Sequence, residues 1–150
     1  MKNKKGFTLI ELLAVIVILA IITAVVSSTL IKTKKRSNIE NVKTYESTLE
    51  NLGMQIYVYH RDSISAALKG KSSLKISVDK LKTAGYIEDL SNPAKAGDMC
   101  LGYLEITNEL EFKGNICCSN LYKTGTGEFN GTCNSNDYKG DVYTFPADEN

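Results

Sequence analysis

The first feature of the sequence is a long run of apolar residues close to the N-terminus. Between Phe7 and Ile31 the only charged residue is Glu11. A helix over this run would measure about 37 Å at roughly 1.5 Å per residue, and a bilayer core is about 30 Å thick. The pattern therefore predicts a membrane-spanning helix.

Beyond this run, apolar residues recur at spacings of three, four or seven, which is the pattern of one face of a helix. These positions are Ile39, Val42, Leu49, Leu52, Ile56 and Tyr59. The charged residues between them predict solvated faces and include Glu40, Lys43, Glu46 and Glu50. Because no proline or glycine lies between Phe7 and Leu52, we predict one helix of roughly 50 residues, apolar all round and then amphipathic.

After Gly70 the periodicity changes. Ser77 is a suitable N-cap for a short helix, Val78 to Ala84, and Gly85 follows it in a position that favours left-handed backbone. From Cys100 onward apolar and polar residues alternate, which predicts antiparallel strands.

The alternation predicts a hairpin with a three-residue loop, Thr107 to Glu109. The register that matches the apolar faces pairs Ile106 with Leu110, and Leu104 with Phe112. This register also places Glu105 opposite Glu111, a like-charge contact that only a solvated face tolerates. A final strand, Asp141 to Phe145, is expected to complete a three- or four-stranded antiparallel sheet covering the helix.

All four cysteines lie in the C-terminal third, and their even number beyond a membrane span predicts two disulfides formed in an oxidising compartment. In the predicted register Cys118 lies on the same face as Cys100, one diagonal step away, whereas Cys117 points to the opposite face. A bond between the adjacent Cys117 and Cys118 would be strained. The favoured pairing is Cys100–Cys118 with Cys117–Cys133. The swapped pairing, Cys100–Cys117 with Cys118–Cys133, stays open.

The net charge of +1 conceals a segregation of charge along the chain. A basic cluster directly follows the apolar run and consists of Lys32, Lys34, Lys35 and Arg36. Residues 37–150 carry five more acidic than basic side chains. Since phosphate binding depends on clustered cations, no nucleic-acid-binding site is predicted there. We interpret the basic cluster as an anchor at the membrane interface.

The N-terminal stretch KKGFTLIELL, Lys4 to Leu13, resembles the prepilin signature of type IV pilins, type II secretion pseudopilins and competence pseudopilins. The stretch from Val78 to Ile87 looks like the connecting region of Gram-positive pilins and pseudopilins. The resemblance implies cleavage between Gly6 and Phe7 by a prepilin peptidase, followed by N-methylation of the new Phe7 amine. It implies the α+β type IV pilin fold: a long N-terminal helix, transmembrane and then amphipathic, packed on a small antiparallel sheet with a disulfide-stabilised C-terminal region.

Glu11 is an acid inside an apolar helix, where an ionised group is costly unless it finds a partner. Cleavage after Gly6 would create a cation, the Phe7 amine, one helical turn away on the same face. We expect Glu11 of one subunit to pair with the Phe7 amine of its neighbour and to fix their register, the role that the resemblance also assigns. Thr8 to Glu11 fits a capping box as well, so helix capping is the competing interpretation.

The predicted regions are a cleaved leader (1–6), a transmembrane and filament-core helix (7–31), its amphipathic continuation (32–62) and a globular head (63–150) with a short helix, a sheet and a disulfide region. The resemblance implies a structural subunit of a type IV pilus, serving adhesion, motility or DNA uptake. The alternative is a pseudopilin of a type II secretion or competence system. An anchored domain that never polymerises is disfavoured, because a plain anchor has no use for Glu11.

The implied partners are copies of the chain or related pilins, the prepilin peptidase, the pilus assembly machinery and, before assembly, the membrane. The implied location is the inner (cytoplasmic) membrane, as a single-pass precursor with a cytoplasmic N-terminus, and then an extracellular filament. The N-terminal motif and the distal cysteines carry this orientation.

Other candidate sites in the sequence do not predict chemistry. His60 has no paired nucleophile and no metal-spaced partner, so we interpret it as a helix-end histidine. Asn134, Asn136, Asp137 and Asp141 surround Gly140 in a spacing that does not fit an EF-hand. Asn130-Gly131-Thr132 matches a glycosylation acceptor. Without a phosphate-binding loop or a catalytic carboxylate pair, we predict no enzyme, no cofactor and no metal site.

Overall fold

The computed structural model describes residues 8–146 of the 150-residue chain, except for the side chains of Ser27 and Ser28. Its elements are, in chain order, α1 (Leu9–Tyr59), α2 (Arg61–Leu68), β1 (Ser73–Ser77), α3 (Val78–Thr83), β2 (Leu101–Thr107), β3 (Phe112–Cys118), β4 (Tyr122–Lys123), β5 (Gly127–Glu128) and a 3-10 turn (Ser135–Tyr138). A long N-terminal helix, an antiparallel sheet and two C-terminal disulfides confirm the predicted α+β fold class.

The chain divides into two compact units between Arg36 and Ser37. The described part of the first unit, residues 8–36, is the N-terminal portion of α1. The second unit, described over residues 37–146, contains the rest of α1 and all the elements that follow it. Its core collects buried side chains from the three helices and from β1 to β4.

Helix α1 runs for 51 residues, which confirms the prediction of a single long helix. It ends at Tyr59. The next residue, His60, has a φ of −119°, which departs from helical backbone, and it is the N-cap residue of α2. The sequence pattern does not predict α2, because Ile64 and Leu68 are its buried residues and two apolar positions do not define a period.

Helix α3 confirms the predicted short helix between Ser77 and Gly85. The Ser77 hydroxyl accepts a hydrogen bond from the backbone N–H of Lys80 at 3.4 Å, as an N-cap does. Gly85 has a φ of 79°, the left-handed conformation that a glycine after a helix adopts without strain.

The sheet is a five-stranded antiparallel meander in the order β1-β2-β3-β4-β5. Strand β2 alternates buried and half-exposed residues along its whole length, so one face of the sheet packs against the core. Three of the buried residues, Leu104, Ile106 and Ile116, are fully inaccessible to solvent.

The predicted hairpin register is wrong by two residues. Ile106 lies opposite Phe112 and Leu104 lies opposite Gly114. The loop is Asn108 to Leu110, and Leu110 adopts a φ of 61°, the left-handed position of a three-residue hairpin loop. A shift of two residues keeps every side chain on its face, so the apolar alternation did not distinguish the registers.

The shifted register also removes the like-charge contact that the prediction contained. Glu105 lies opposite Lys113 in the structure, not opposite Glu111. Opposite charges at facing positions favour this pairing, and like charges disfavour the other.

The predicted final strand, Asp141 to Phe145, is wrong, since this segment forms no ladder in the described structure. Asp141 instead binds the edge of β1 through Lys75: its N–H donates to the Lys75 carbonyl at 2.6 Å, and its Oδ2 accepts the Lys75 N–H at 2.7 Å. Further along, the buried Tyr143 places its hydroxyl 3.2 Å from Ser63 Oγ. The segment from Asp141 to Phe145 is thus a strap held by one backbone hydrogen bond and by side-chain contacts, and β1, which the sequence did not predict, is the edge strand.

Candidate functional site

The apolar segment, residues 9–31 of α1, exposes all its large hydrophobic side chains. Their exposed fractions range from 45% at Val26 to 84% at Leu9. By length and composition this part of α1 is apolar enough to cross a membrane, and none of its most apolar window is buried within the chain. The segment is therefore an apolar surface on all sides, without a cover from the described residues.

Glu11 lies at the start of this surface and closes a capping box with Thr8. Glu11 Oε2 accepts hydrogen bonds from the Thr8 N–H and from the Thr8 hydroxyl, both at 2.9 Å. The Glu11 N–H in turn lies 3.4 Å from Thr8 Oγ1. The structure therefore shows helix capping by Glu11, which was the competing interpretation of this residue.

Only one oxygen of the Glu11 carboxylate takes part in this cap. Glu11 Oε1 accepts no hydrogen bond from any residue between 8 and 146, the part of the chain that the structure describes. Capping and a second ionic contact therefore do not compete for the same atom. The predicted processing residues, Gly6 and Phe7, lie outside the described residues.

The basic cluster follows the apolar segment on α1. Lys32, Lys34 and Arg36 are exposed, and Lys35 is half-buried. Three cationic side chains are thus available to solvent directly beside the end of the apolar segment, as at the headgroup level of a membrane helix.

Within the second unit, Glu46 contacts the sheet, whereas the sequence pattern predicted that it lies on a solvated face of the helix. Its carboxylate is half-buried and accepts hydrogen bonds from the Tyr122 hydroxyl, at 3.0 and 3.2 Å to its two oxygens, and from the Thr124 hydroxyl. Gly114 of β3 approaches the helix so closely that a Cβ there would lie 2.5 Å from the Glu46 carbonyl. These contacts attach α1 to β3 and β4.

A signal for this contact was present in the sequence. Glu46 lies four residues after Val42 and three before Leu49, so it occupies the same stripe as these fully buried side chains. Burial and the Glu46 carboxylate raise the pKa of Tyr122 to about 12. The hydroxyl therefore remains a protonated donor at neutral pH.

The structure joins Cys100 to Cys118 and Cys117 to Cys133, with Cα–Cα separations of 4.3 Å and 5.9 Å. Leu101 faces Cys117 across the hairpin, so continuing the ladder by one residue brings Cys100 opposite Cys118. The predicted diagonal offset between these two cysteines is therefore replaced by a direct cross-strand position. The adjacent Cys117 and Cys118 point to opposite faces of β3, so the two bridges leave the strand on different sides.

His60 lies at the junction of α1 and α2 in an aromatic cluster. Its Nε2 is 2.5 Å from the Tyr86 hydroxyl, and its ring centroid is 5.5 Å from that of Phe145. Phe145 in turn contacts Tyr143, with ring centroids 5.1 Å apart. The cluster joins the helix junction to the C-terminal strap and provides packing, in line with the interpretation of His60 as a helix-end residue.

The polar loop around Gly140 uses its side chains on nearby backbone groups. Asn134 Oδ1 accepts the Asn136 N–H at 3.0 Å and caps the 3-10 turn, and Asp141 binds Lys75 as described above. Among residues 8–146, no three His, Cys, Asp or Glu side chains converge as metal ligands would.

Comparison with known proteins agrees with the N-terminal motif. Residues 1–27 match the prokaryotic N-terminal methylation motif family. The type IV wide pilus major component PilA4 of Thermus thermophilus is 53% identical over 45 residues, which cover 30% of this chain and 34% of that protein. The match thus spans about a third of the relative's length. No solved structure matches the chain.

The matched methylation motif covers the start of the apolar helix, and the pilin relative matches less than a third of the chain. The chain carries a prepilin-type N-terminal methylation motif over residues 1–27 and is similar, over 45 residues, to a type IV pilin.

Proposed function

We propose that the protein is the structural subunit of a type IV pilus, an extracellular filament that subunits build through their N-terminal helices. The observation that carries this proposal is the exposure of the apolar segment. Its side chains need a cover in water, and the described chain does not supply one. The membrane supplies the cover before assembly, and the helices of other copies supply it in the filament.

In this proposal the four regions keep their predicted bounds, 1–6, 7–31, 32–62 and 63–150. The precursor spans the inner membrane once with its N-terminus in the cytoplasm. A prepilin peptidase cleaves between Gly6 and Phe7, and the new amine is methylated, as the matched methylation motif supports. The assembly machinery then transfers the subunit to the filament.

Glu11 fixes the axial register of neighbouring subunits in this filament. Its Oε2 caps the helix through Thr8, and its Oε1 pairs with the methylated amine of Phe7 in the adjacent subunit. A lone carboxylate within packed apolar helices is costly, so subunits that place Glu11 without a cation are disfavoured. The pair therefore selects one stagger, as buried polar residues do in coiled coils.

Two substitutions separate registry from capping. Glu11→Gln keeps a capping acceptor, since glutamine also serves in a capping box, but removes the charge. Thr8→Val removes the hydroxyl and its two hydrogen bonds from the capping box, and it keeps the carboxylate with its bond to the N–H of residue 8. We expect Glu11→Gln to reduce incorporation into sheared filaments strongly and Thr8→Val to leave it close to wild type, with equal membrane levels of each precursor as the control. Wild-type filaments from Glu11→Gln together with loss in Thr8→Val would refute the registry role.

Cleavage is tested by the mass of the N-terminal peptide from purified filaments. We expect a peptide that begins with methylated Phe7, and we expect Gly6→Leu to accumulate in the membrane as the longer precursor. Filaments whose subunits retain residues 1–6 would contradict the proposal.

The two disulfides support a surface filament over a short pseudopilus, because they strengthen a small domain that is exposed outside the cell. Immunogold electron microscopy of intact cells, with antibodies against residues 37–150, distinguishes the two. We expect labelled filaments that extend from the cell surface. Labelling that appears only after the envelope is opened would favour the pseudopilin alternative.

A further inference from the structure

The loop after β5 contains a sequence motif that has no role in the proposed filament assembly. Asn130, Gly131 and Thr132 form an asparagine-glycine-threonine triplet of the kind that accepts N-linked glycans. In the structure the triplet lies in irregular backbone between β5 and the 3-10 turn, and both Asn130 and Thr132 are exposed. A glycosyltransferase has to enclose the asparagine side chain, so this exposure is the first requirement of an acceptor.

The backbone on either side of the asparagine is attached to the sheet, whereas its side chain is not. The Phe129 N–H donates to the Leu121 carbonyl at 3.1 Å, and the Gly131 carbonyl accepts the Asn120 N–H at 2.8 Å. Among the described residues 8–146, the Asn130 amide has no hydrogen-bond partner. The amide group is thus presented to solvent and can react without losing a native hydrogen bond.

An acidic side chain precedes the triplet. Glu128, the last residue of β5, is exposed and lies two positions before Asn130. Its carboxylate gives an enzyme a charged group that a cationic side chain can bind. The exposed positions of this stretch therefore present an acid, an amide and a hydroxyl at alternate residues, Glu128, Asn130 and Thr132.

We propose that Asn130 is the acceptor of an N-linked glycan, with the Thr132 hydroxyl and the Glu128 carboxylate as the groups that the transferase recognises. The donor is an oligosaccharide carried on a polyprenyl pyrophosphate. Asn130 Nδ2 attacks the anomeric carbon, a C–N bond forms and the C–O bond to pyrophosphate breaks. The polyprenyl pyrophosphate leaves with the bonding electron pair, and one amide proton passes to a base of the transferase.

This inference rests on the proposed function in one respect: residues 37–150 must reach the extracytoplasmic side of the membrane. The disulfide between Cys117 and Cys133 reports that step separately, because it forms in an oxidising compartment. In the same sample, the Cys117–Cys133 bond therefore reports export, and the peptide that contains Asn130 reports glycosylation.

The test is mass spectrometry of intact glycopeptides from the full-length protein purified from its own cells. We expect the peptide that contains Asn130 to carry an oligosaccharide with its linkage at Asn130. Thr132→Ser retains the hydroxyl and should retain the glycan, whereas Thr132→Ala should lose it. Glu128→Gln should lower the occupied fraction. Each variant is accepted only when the Cys117–Cys133 bond is intact, which shows that it was exported and folded.

An unmodified Asn130 peptide from protein with an intact Cys117–Cys133 bond overturns the inference and leaves the proposed function standing. Conversion of Asn130 to aspartate counts as unmodified, because an asparagine before glycine deamidates without an enzyme. A glycan that persists in Thr132→Ala also overturns it, since the motif would then not direct the transfer. Reduced cysteines together with a retained leader would defeat the proposed function and this inference at once.

Discussion

Two leucines of α1 show that the two units differ in how their apolar side chains are covered. Leu19 lies in the apolar segment and is 56% exposed, whereas Leu49 lies in the second unit and is fully buried. The second unit supplies its own cover from the sheet and the shorter helices. The described part of the first unit supplies none, so the proposed function assigns the cover of its apolar residues to lipid or to other chains. The same residue type thus stabilises the fold in one unit and, in the proposed filament, association in the other.

The largest expected effect comes from truncating these two leucines in parallel. Leu49→Ala should lower the free energy of unfolding of the second unit by about 2–5 kcal/mol, because it leaves a cavity in the core. Leu19→Ala should change that quantity by less than about 0.5 kcal/mol, because no cavity forms at an exposed site.

The measurement is near-ultraviolet circular dichroism of the full-length chain in detergent during urea unfolding. The chain has eight tyrosines and no tryptophan, and every tyrosine lies after Ser37, so the signal reports the second unit alone. Leu19→Ile serves as a control that keeps the apolar volume. Equal destabilisation by Leu49→Ala and Leu19→Ala would show that the apolar segment is also part of the folded core.

The next largest effect should follow removal of the disulfides. The bonds join residues 18 and 16 positions apart, so the chain-entropy contribution of each is about 3 kcal/mol. Cys100 and Cys118 are both buried in the core, whereas Cys133 is half-exposed. We therefore expect the double substitution to alanine at Cys100 and Cys118 to destabilise more than the same change at Cys117 and Cys133.

Urea unfolding with the tyrosine signal checks this order. Peptide mapping of the unreduced wild-type protein checks the pairing itself, and recovery of a Cys118–Cys133 peptide would point to the swapped arrangement. The apolar segment should be unaffected, since all four cysteines lie in the second unit.

A smaller effect should follow changes to the contact between Glu46 and Tyr122. Tyr122→Phe removes one donor from a half-buried carboxylate and should cost about 1–2 kcal/mol in the free energy of unfolding. Thr124→Val removes the other donor and should cost a similar amount. Because the two residues share Glu46, the double substitution should not be additive. Strict additivity would mean that the two hydroxyls do not depend on the same carboxylate.

The same contact predicts a loss of stability at high pH. The pKa of Tyr122 is raised from its ordinary value of 10 to about 12 in the folded state, because burial disfavours the phenolate. The unfolded state releases this proton first, so the contribution of Tyr122 is fully present below about pH 10 and is lost as pH rises toward 12. Wild type should therefore lose more stability than Tyr122→Phe over this interval. Parallel curves for the two proteins would contradict the raised pKa.

The smallest effect concerns the hairpin register. Glu105 faces Lys113, so Lys113→Glu should cost about 0.2–1 kcal/mol, and exchanging the two charges should recover part of that loss. Lys113→Gln is the matched neutral control. If the predicted register with Glu105 opposite Glu111 were present instead, Glu111→Lys would be the stabilising change.

Much of the fold follows from patterns that are local in sequence. The long uninterrupted helix, the Ser77 cap and the Gly85 turn depend on neighbouring residues, and all three were predicted. The hairpin register was not, because its two candidates differ by an even number of residues and present the same faces. Charge was the remaining signal, since only one of the two registers places Lys113 opposite an acid, Glu105.

Features that depend on distant residues were harder to predict. Glu46 interrupts an apolar stripe, and only its partners on β4 and the following turn explain why an acid is stable there. The segment from Asp141 to Phe145 alternates like a strand, but within the described structure its hydrogen bonds to the backbone of β1 come from Asp141 alone. The predicted pairing of Glu11 with Phe7 depends on another chain and stays a prediction.

The adjacent positions of Cys117 and Cys118 have a mechanical consequence. The two bridges overlap at these residues, so covalent bonds link the chain without a gap from Cys100 to Cys133. When a force pulls the two ends of the subunit apart, the two disulfide bonds carry the load across most of this stretch. Under tension, the filament that we propose would therefore lengthen by releasing the strap and the segments before Cys100, while β2, β3 and the loop that bears Asn130 remain unextended until a bridge is reduced.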